Sequence, residues 1–181
     1  SLTSDLPMVE FDLVIDTIVS APIDQNSYVV HHRGQSDCVI IDPGFHPELI
    51  VEHVQRHQLQ PAIILYTHGH SDHIAGNEAL KERFPDCPIV ISHGDEPKLT
   101  DPMLNLSGAF GAHLVSPGAD VLVGEGDVYS AAGMDFEVRE VPGHSSGHVV
   151  FIWNAGKPIV VFGGDVLFAG SIGRTDFPDG S

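Results

Sequence analysis

At 181 residues the chain is long enough to bury a proper core, and its length fits one domain over residues 1–181. Apolar residues make up 42%, which excludes a disordered chain, and no apolar run approaches the ~20 residues that a membrane-spanning helix needs. Eight Lys and Arg against 25 Asp and Glu leave a net charge of −17, which argues against nucleic acid or an anionic membrane as the main partner, since both call for a basic footprint.

Residues 9–18 alternate loosely between apolar and polar and predict a strand. Residues 26–31 and 38–41 predict two more, joined by the turn Arg33-Gly34-Gln35. Asp42-Pro43-Gly44 reads as a stop. A helix is expected over 47–59, with Pro47 suited to its first turn and Leu49, Ile50 and Val54 on one face. The wholly apolar stretch 62–66 predicts a strand buried on both faces. A helix over 75–84, a stop at Pro85 and Pro88, and a buried strand over 89–92 follow. Residues 95–114 have weak helical character, broken by Pro102, Gly108 and Gly111, and read as a cover over a cleft. Short strands come next, at 121–123, 127–129, 135–141, 149–153 and 159–162, punctuated by glycines. This order predicts two packed sheets flanked by helices. Cys38 and Cys87 are too few for a disulfide framework and read as buried, reduced thiols. With no charged-then-apolar leader in view, the expectation is a cytoplasmic protein.

The densest chemistry is Thr67-His68-Gly69-His70-Ser71-Asp72-His73, directly after the apolar strand. His supplies neutral nitrogen ligands and Asp a hard oxygen. Side chains two apart in extended chain point the same way, so His68 and His70 can chelate one ion. A turn into helix would swing Asp72 and His73 toward a second position. The plain alternative is a polar loop in a chain that holds 12 His. Two further segments end the same way. Val141-Pro142-Gly143-His144 puts a His after a strand, and Gly163-Gly164-Asp165 puts a carboxylate after an apolar one. A carboxylate in that setting needs a cation or hydrogen bonds. The other histidines read differently. His31, His32, His46, His53 and His57 fit solvated faces, and His148 reads as packing at the start of a strand.

Taken in order, Thr-His-x-His-x-Asp-His, Pro-Gly-His and Gly-Asp resemble the metallo-β-lactamase-type hydrolase superfamily. The stretch 163–177 is similar to glyoxalase II-like thioester hydrolases (hydroxyacylglutathione hydrolase-like). Its Gly173-Arg174-Thr175-Asp176-Phe177 portion also resembles persulfide dioxygenases. The resemblance implies an α+β fold, an αββα four-layer sandwich of two mixed sheets flanked by helices. It implies that His68, His70 and His144 hold one metal, that Asp72 and His73 hold a second, and that Asp165 bridges both. The family pattern adds a His ligand in a later Gly-His turn and a terminal helix. Neither lies in these 181 residues, so the resemblance implies an incomplete second site within this sequence.

The implied activity is metal-dependent thioester hydrolysis by metal-bound hydroxide, with one or two Zn2+ per chain and Fe or Mn also admitted by the donors. Asp72 would also act as a catalytic carboxylate that orients or deprotonates the nucleophile. The implied partner is a small anionic thioester, and Arg174 is the candidate for pairing with its carboxylate. A pair between Arg174 and Asp176 or Asp179 is the competing reading, and Asp176 could orient a ligand imidazole. Two other functions stand beside this one: a mononuclear iron persulfide dioxygenase on His68, His144 and Asp165, and a metal-binding domain without catalysis.

Overall fold

The structure is a computed structural model that describes residues 12–141, 143, 145–156, 159–163 and 167–169. Strands β1 (Leu13–Ser20), β2 (Gln25–His32) and β3 (Asp37–Ile41) open the chain, followed by helix α1 (Pro47–Arg56) and β4 (Gln60–Leu65). Two short helices, α2 (Ser71–Ile74) and α3 (Asn77–Arg83), lead to β5 (Ile89–Ser92). The rest is strand: β6 (Val121–Val123), β7 (Val128–Ala131), β8 (Met134–Glu140), β9 (Val149–Trp153), β10 (Val160–Phe162) and β11 (Leu167–Ala169).

The first six strands form one sheet in sequence order. The β1, β2 and β3 pairings are antiparallel, and those of β3 to β6 are parallel. The second sheet runs β11-β10-β9-β8-β7, and its described pairings are all antiparallel. The connections decide this difference. Parallel neighbours need a crossover, supplied here by α1, by α2 with α3, and by the 93–120 connection, whereas β7 to β11 follow one another through short links.

The two-residue period of a strand explains both cores. Val39 and Ile41 of β3, Ile63 and Leu65 of β4, and Val90 of β5 face the second sheet. There they meet Met134, Phe136, Val138, Val149, Phe151, Trp153 and Phe162. The alternate residues Cys38, Ile40, Ile64, Ile89 and Ile91 face outward, under Ile50 and Val54 of α1 and Leu80 of α3. That double burial is why 62–66 is apolar throughout. The layers described are therefore helix, sheet and sheet; among the described residues no helix covers the outer face of the second sheet.

Most expected elements appear within a residue or two. The 95–114 segment differs. It folds as two 3-10 turns, Glu96–Leu99 and Gly108–Phe110, and not as a helix. Asn105 stabilises this irregular course by donating to the carbonyls of Lys98 (3.0 Å) and Leu114 (2.9 Å) while accepting from Ser107 N–H (3.0 Å). β11 was not expected from the sequence. Among the described residues no helix is long and apolar enough to cross a membrane.

Both cysteines are free and buried. Burial pushes the Cys38 thiol up to about 12, with Cys87 and Asp37 adding to it, and the Cys87 thiol up to about 11. Both are then neutral thiols near neutral pH and poor nucleophiles. A disulfide-exchange reagent added to native protein near neutral pH should label neither residue, and both should react once the chain is unfolded. Rapid labelling of the native protein would contradict this packing.

Candidate metal centre

The site is assembled at the C-terminal ends of the parallel strands. Asp42 follows β3, Thr67 to His70 follow β4, and Asp95 follows β5. Such ends are the usual ligand edge of a parallel sheet.

Asp42 is fully buried and adopts φ 50°, a left-handed conformation that Asp tolerates better than most residues. Its Oδ1 accepts from Thr67 N–H at 2.8 Å, and its Oδ2 accepts from Thr67 Oγ1 at 2.6 Å. The same Oδ2 lies 3.1 Å from His73 Nδ1. Gln25 Nε2 (2.9 Å) and Ser27 Oγ (2.7 Å) donate to its backbone carbonyl. Single ligand atoms of Asp42, His68 and His73 lie within 4.8 Å of one another, close enough for the three to hold a metal ion. Asp42's oxygens are already engaged by Thr67 and His73, so we assign it the role of orienting carboxylate. It fixes His73 through Nδ1 and leaves Nε2 as the ligand nitrogen.

His70 precedes α2 in extended conformation (φ −67°, ψ 148°), and the single helical turn of α2 then brings Asp72 and His73 around. Asp72 Oδ2 lies 3.3 Å from His73 Nε2. The His68 ring centre lies 4.8 Å from that of His70 and 4.1 Å from that of His73. A fourth imidazole joins them, since His148 lies 4.8 Å from His68, centre to centre. His68, His73 and His148 are buried; His70 and Asp72 are half-buried and line a cleft.

A second buried carboxylate ties this loop to the second sheet. Asp95 Oδ2 accepts from Gly69 N–H (2.8 Å), between the two histidines of the motif, and Oδ1 accepts from Gly147 N–H (2.9 Å). Ser145 Oγ donates to it at 2.6 Å, and Lys98 Nζ pairs with it at 2.8 Å. Burial pushes the Asp95 carboxyl up, but hydrogen bonds from Lys98, Ser145 and Gly69, with the Lys98 charge, outweigh that and hold it below the usual value. The loops meet too closely for side chains: a Cβ on Gly147 would lie 2.4 Å from Asp95 N, and one on Gly69 would lie 2.6 Å from Lys98 Cβ. Val149 N–H also donates to the Thr67 carbonyl at 2.9 Å, a direct backbone link from β9 to the motif.

Of the residues expected from the sequence, His68, His70, Asp72 and His73 come together. His144, Asp165, Arg174 and Asp176 lie outside the described residues. His148 packs, as expected, but what it packs against is His68. His46, expected on a solvated face, lines the cleft. Asp42 and Asp95 were missed. For Asp42 a signal existed, because a carboxylate ending a wholly apolar strand requires a partner.

The comparisons with known proteins agree with this architecture. Residues 21–181 match the metallo-beta-lactamase superfamily. The chain is 35% identical to the hydroxyacylglutathione hydrolase GloC of Haemophilus influenzae, over 92% of this chain and 77% of that protein. The crystal structure of the BLEG-1 B3 metallo-beta-lactamase aligns with TM-score 0.78 and 35% identity over 90% of this chain and 77% of the other. The crystal structure of TTHA1623 in a di-iron-bound form aligns with TM-score 0.68 and 34% identity, over 91% and 78%.

Asp42→Asn should weaken metal binding by about 10–100-fold, as loss of an orienting partner usually does, measured by competition with a chromogenic chelator. Unchanged affinity would reduce Asp42 to a purely structural role. Asp95 generates an acid-side prediction. Its folded pKa is depressed, so its stabilisation is complete above the unfolded carboxyl value of about 4 and is lost as pH falls through the lower folded value. Unfolding free energy of the native chain should therefore drop on acidification below about pH 4, and Asp95→Asn should flatten that part of the urea-denaturation profile.

Proposed function

Because the chain belongs to the metallo-beta-lactamase superfamily, whose members are generally metal-dependent hydrolases, we propose that it hydrolyses thioesters of the hydroxyacylglutathione type. The observation that carries this reading is the convergence of His68, His70, Asp72 and His73, of which His70 and Asp72 line one cleft, with His73 oriented from behind by Asp42. Imidazole nitrogens beside a carboxylate oxygen suit zinc, and they admit iron and manganese. In the proposed assignment, His68, His70 and His144 would hold one ion, Asp72 and His73 would hold a second, and Asp165 would serve both.

When bound, the metal supplies Lewis acidity and lowers the pKa of water toward about 7. The chain's own groups do the remaining work. Asp42 keeps the His73 ring from turning, through a 3.1 Å contact at Nδ1. Asp72, half-buried and in the cleft lining, accepts a proton from the attacking water and holds that water against the carbonyl carbon. Asp95 keeps the loop of residues 67–70 seated against residues 145–147, so those two segments keep one spacing. Arg174 pairs with a carboxylate of a small anionic substrate. The two buried thiols suit a reducing compartment such as the cytoplasm.

Similarity to the B3 metallo-beta-lactamase structure favours one second reading, β-lactam hydrolysis at the same donor set. Purified protein should hydrolyse S-lactoylglutathione, lose activity on chelation and regain it with zinc. His70→Ala should lower kcat/KM by at least about 100-fold, because it removes a proposed ligand. Hydrolysis of a chromogenic cephalosporin without thioester turnover would favour the second reading. Oxygen uptake on glutathione persulfide by an iron-loaded chain would overturn both.

A further inference from the structure

The cleft beside the histidines has a chemical bias that metal binding does not require. Its volume is about 770 Å3, inside the ~300–1,000 Å3 range of small-molecule sites. His70 and Asp72 stand in its lining, and three segments distant in sequence add apolar side chains to the same hollow. The β1–β2 loop gives Ile23, the turn after β3 gives Phe45, and the long connection before β6 gives Leu106 and Phe110. Ile23 is 57% exposed and Phe110 84% exposed. A single exposed apolar residue is ordinary, but several converging on a cavity that also holds reactive side chains point to a ligand.

The polar lining does not change this character. The Asn105 side chain is spent on holding its own loop. No Lys or Arg lines the cleft among the described residues. Four of the chain's cations are committed elsewhere: Arg56 to Glu52, Lys81 to Asp120, Lys98 to Asp95 and Arg139 to Glu125.

We propose that this apolar wall is an acyl-group subsite, so that the site selects thioesters whose acyl portion is an uncharged alkyl chain or ring. The inference rests on the thioester-hydrolase reading and adds which half of the substrate the cleft recognises. The occupant is a substrate and not a second copy of the chain, because the apolar residues enclose a hollow continuous with His70 and Asp72. Each buried methylene is worth up to about fourfold in affinity. Four of them, partly exposed, should give at least about tenfold.

The test uses zinc-loaded protein and thioesters of one small uncharged thiol, N-acetylcysteamine, carrying acetyl, hexanoyl, phenylacetyl or succinyl groups. The kcat/KM should rise at least about tenfold from acetyl to hexanoyl, mostly through KM, with succinyl the poorest. The double substitution Ile23→Ser and Phe110→Ser, on exposed side chains, should shrink the hexanoyl-to-acetyl ratio by about fivefold. Calorimetry with the matching non-hydrolysable thioethers gives a readout independent of turnover. The S-hexyl compound should bind at least about tenfold tighter than the S-ethyl one, with a negative heat-capacity change. A flat chain-length profile, or a preference for succinyl, overturns the subsite and leaves the hydrolase reading standing. No turnover of any thioester, with the S-hexyl preference intact, overturns the hydrolase reading and supports the apolar site. A dimer that protects Ile23 and Phe110 from solvent overturns the subsite in favour of an interface.

Discussion

A carboxylate taken out of water must be met by donors, and that requirement at Asp42 organises the whole edge of the first sheet. Its side chain is fully buried at the end of β3, beside the loop after β4 and the α2 helix. Thr67 answers with both its N–H and its hydroxyl, and His73 with Nδ1. Leaving any of these unmade would expose the desolvation cost of a buried charge. The motif between Thr67 and His73 is therefore pinned at both of its ends by one residue. His68, His70 and Asp72 have little freedom left, so their spacing is set by the fold.

The second constraint is that two sheets contribute to one site. The parallel strands β3, β4 and β5 end side by side and deliver Asp42, the 67–70 loop and Asp95 in order. The second sheet approaches this edge through the loop before β9, and Asp95 is the joint. It accepts from Gly69 on one side and from Gly147 and Ser145 on the other. Gly147 is glycine for a steric reason, since even a methyl there would collide with the Asp95 backbone. A hydrogen-bonded carboxylate and a missing side chain together set how closely the two loops stand.

Much of this was legible in the sequence because the fold is written in periods. The apolar runs 62–66 and 89–92, too short for a helix and flanked by Pro61 and Pro88, read as strands with two covered faces, and Pro47 marks a helix start where α1 begins. The histidine motif was legible because its ligand types are adjacent in the chain. Asp42 was read as a stop because its turn chemistry is local, whereas its partners lie 25 and 31 residues away. Asp95 carried no signal at all, since an Asp in a polar loop looks the same whether or not it is buried. The 95–114 segment misled for a related reason. Its course is fixed by Asn105 bonding to backbone seven and nine residues away, which leaves no periodicity to read.

Charge links the site to the rest of the chain. With a net charge of −17, the protein has few cations to spare, and the described ion pairs spend them on surface contacts and on Asp95. Of the carboxylates at the motif, Asp42 and Asp72 are met by imidazole and Asp95 by Lys98. Among the described residues the cation at this edge is Lys98, and it is paired with Asp95. A metal bound here would compete with protons for the imidazole nitrogens. The same scarcity bears on specificity. In the proposed thioester reading, an uncharged acyl group would gain from each methylene it buries against Ile23, Phe45, Leu106 and Phe110, and among the described residues no Lys or Arg of the cleft would pair with an anionic one. Discrimination between acyl groups would then fall to the wall of the cleft, because the donor set proposed to act on the carbonyl meets the same group in every thioester.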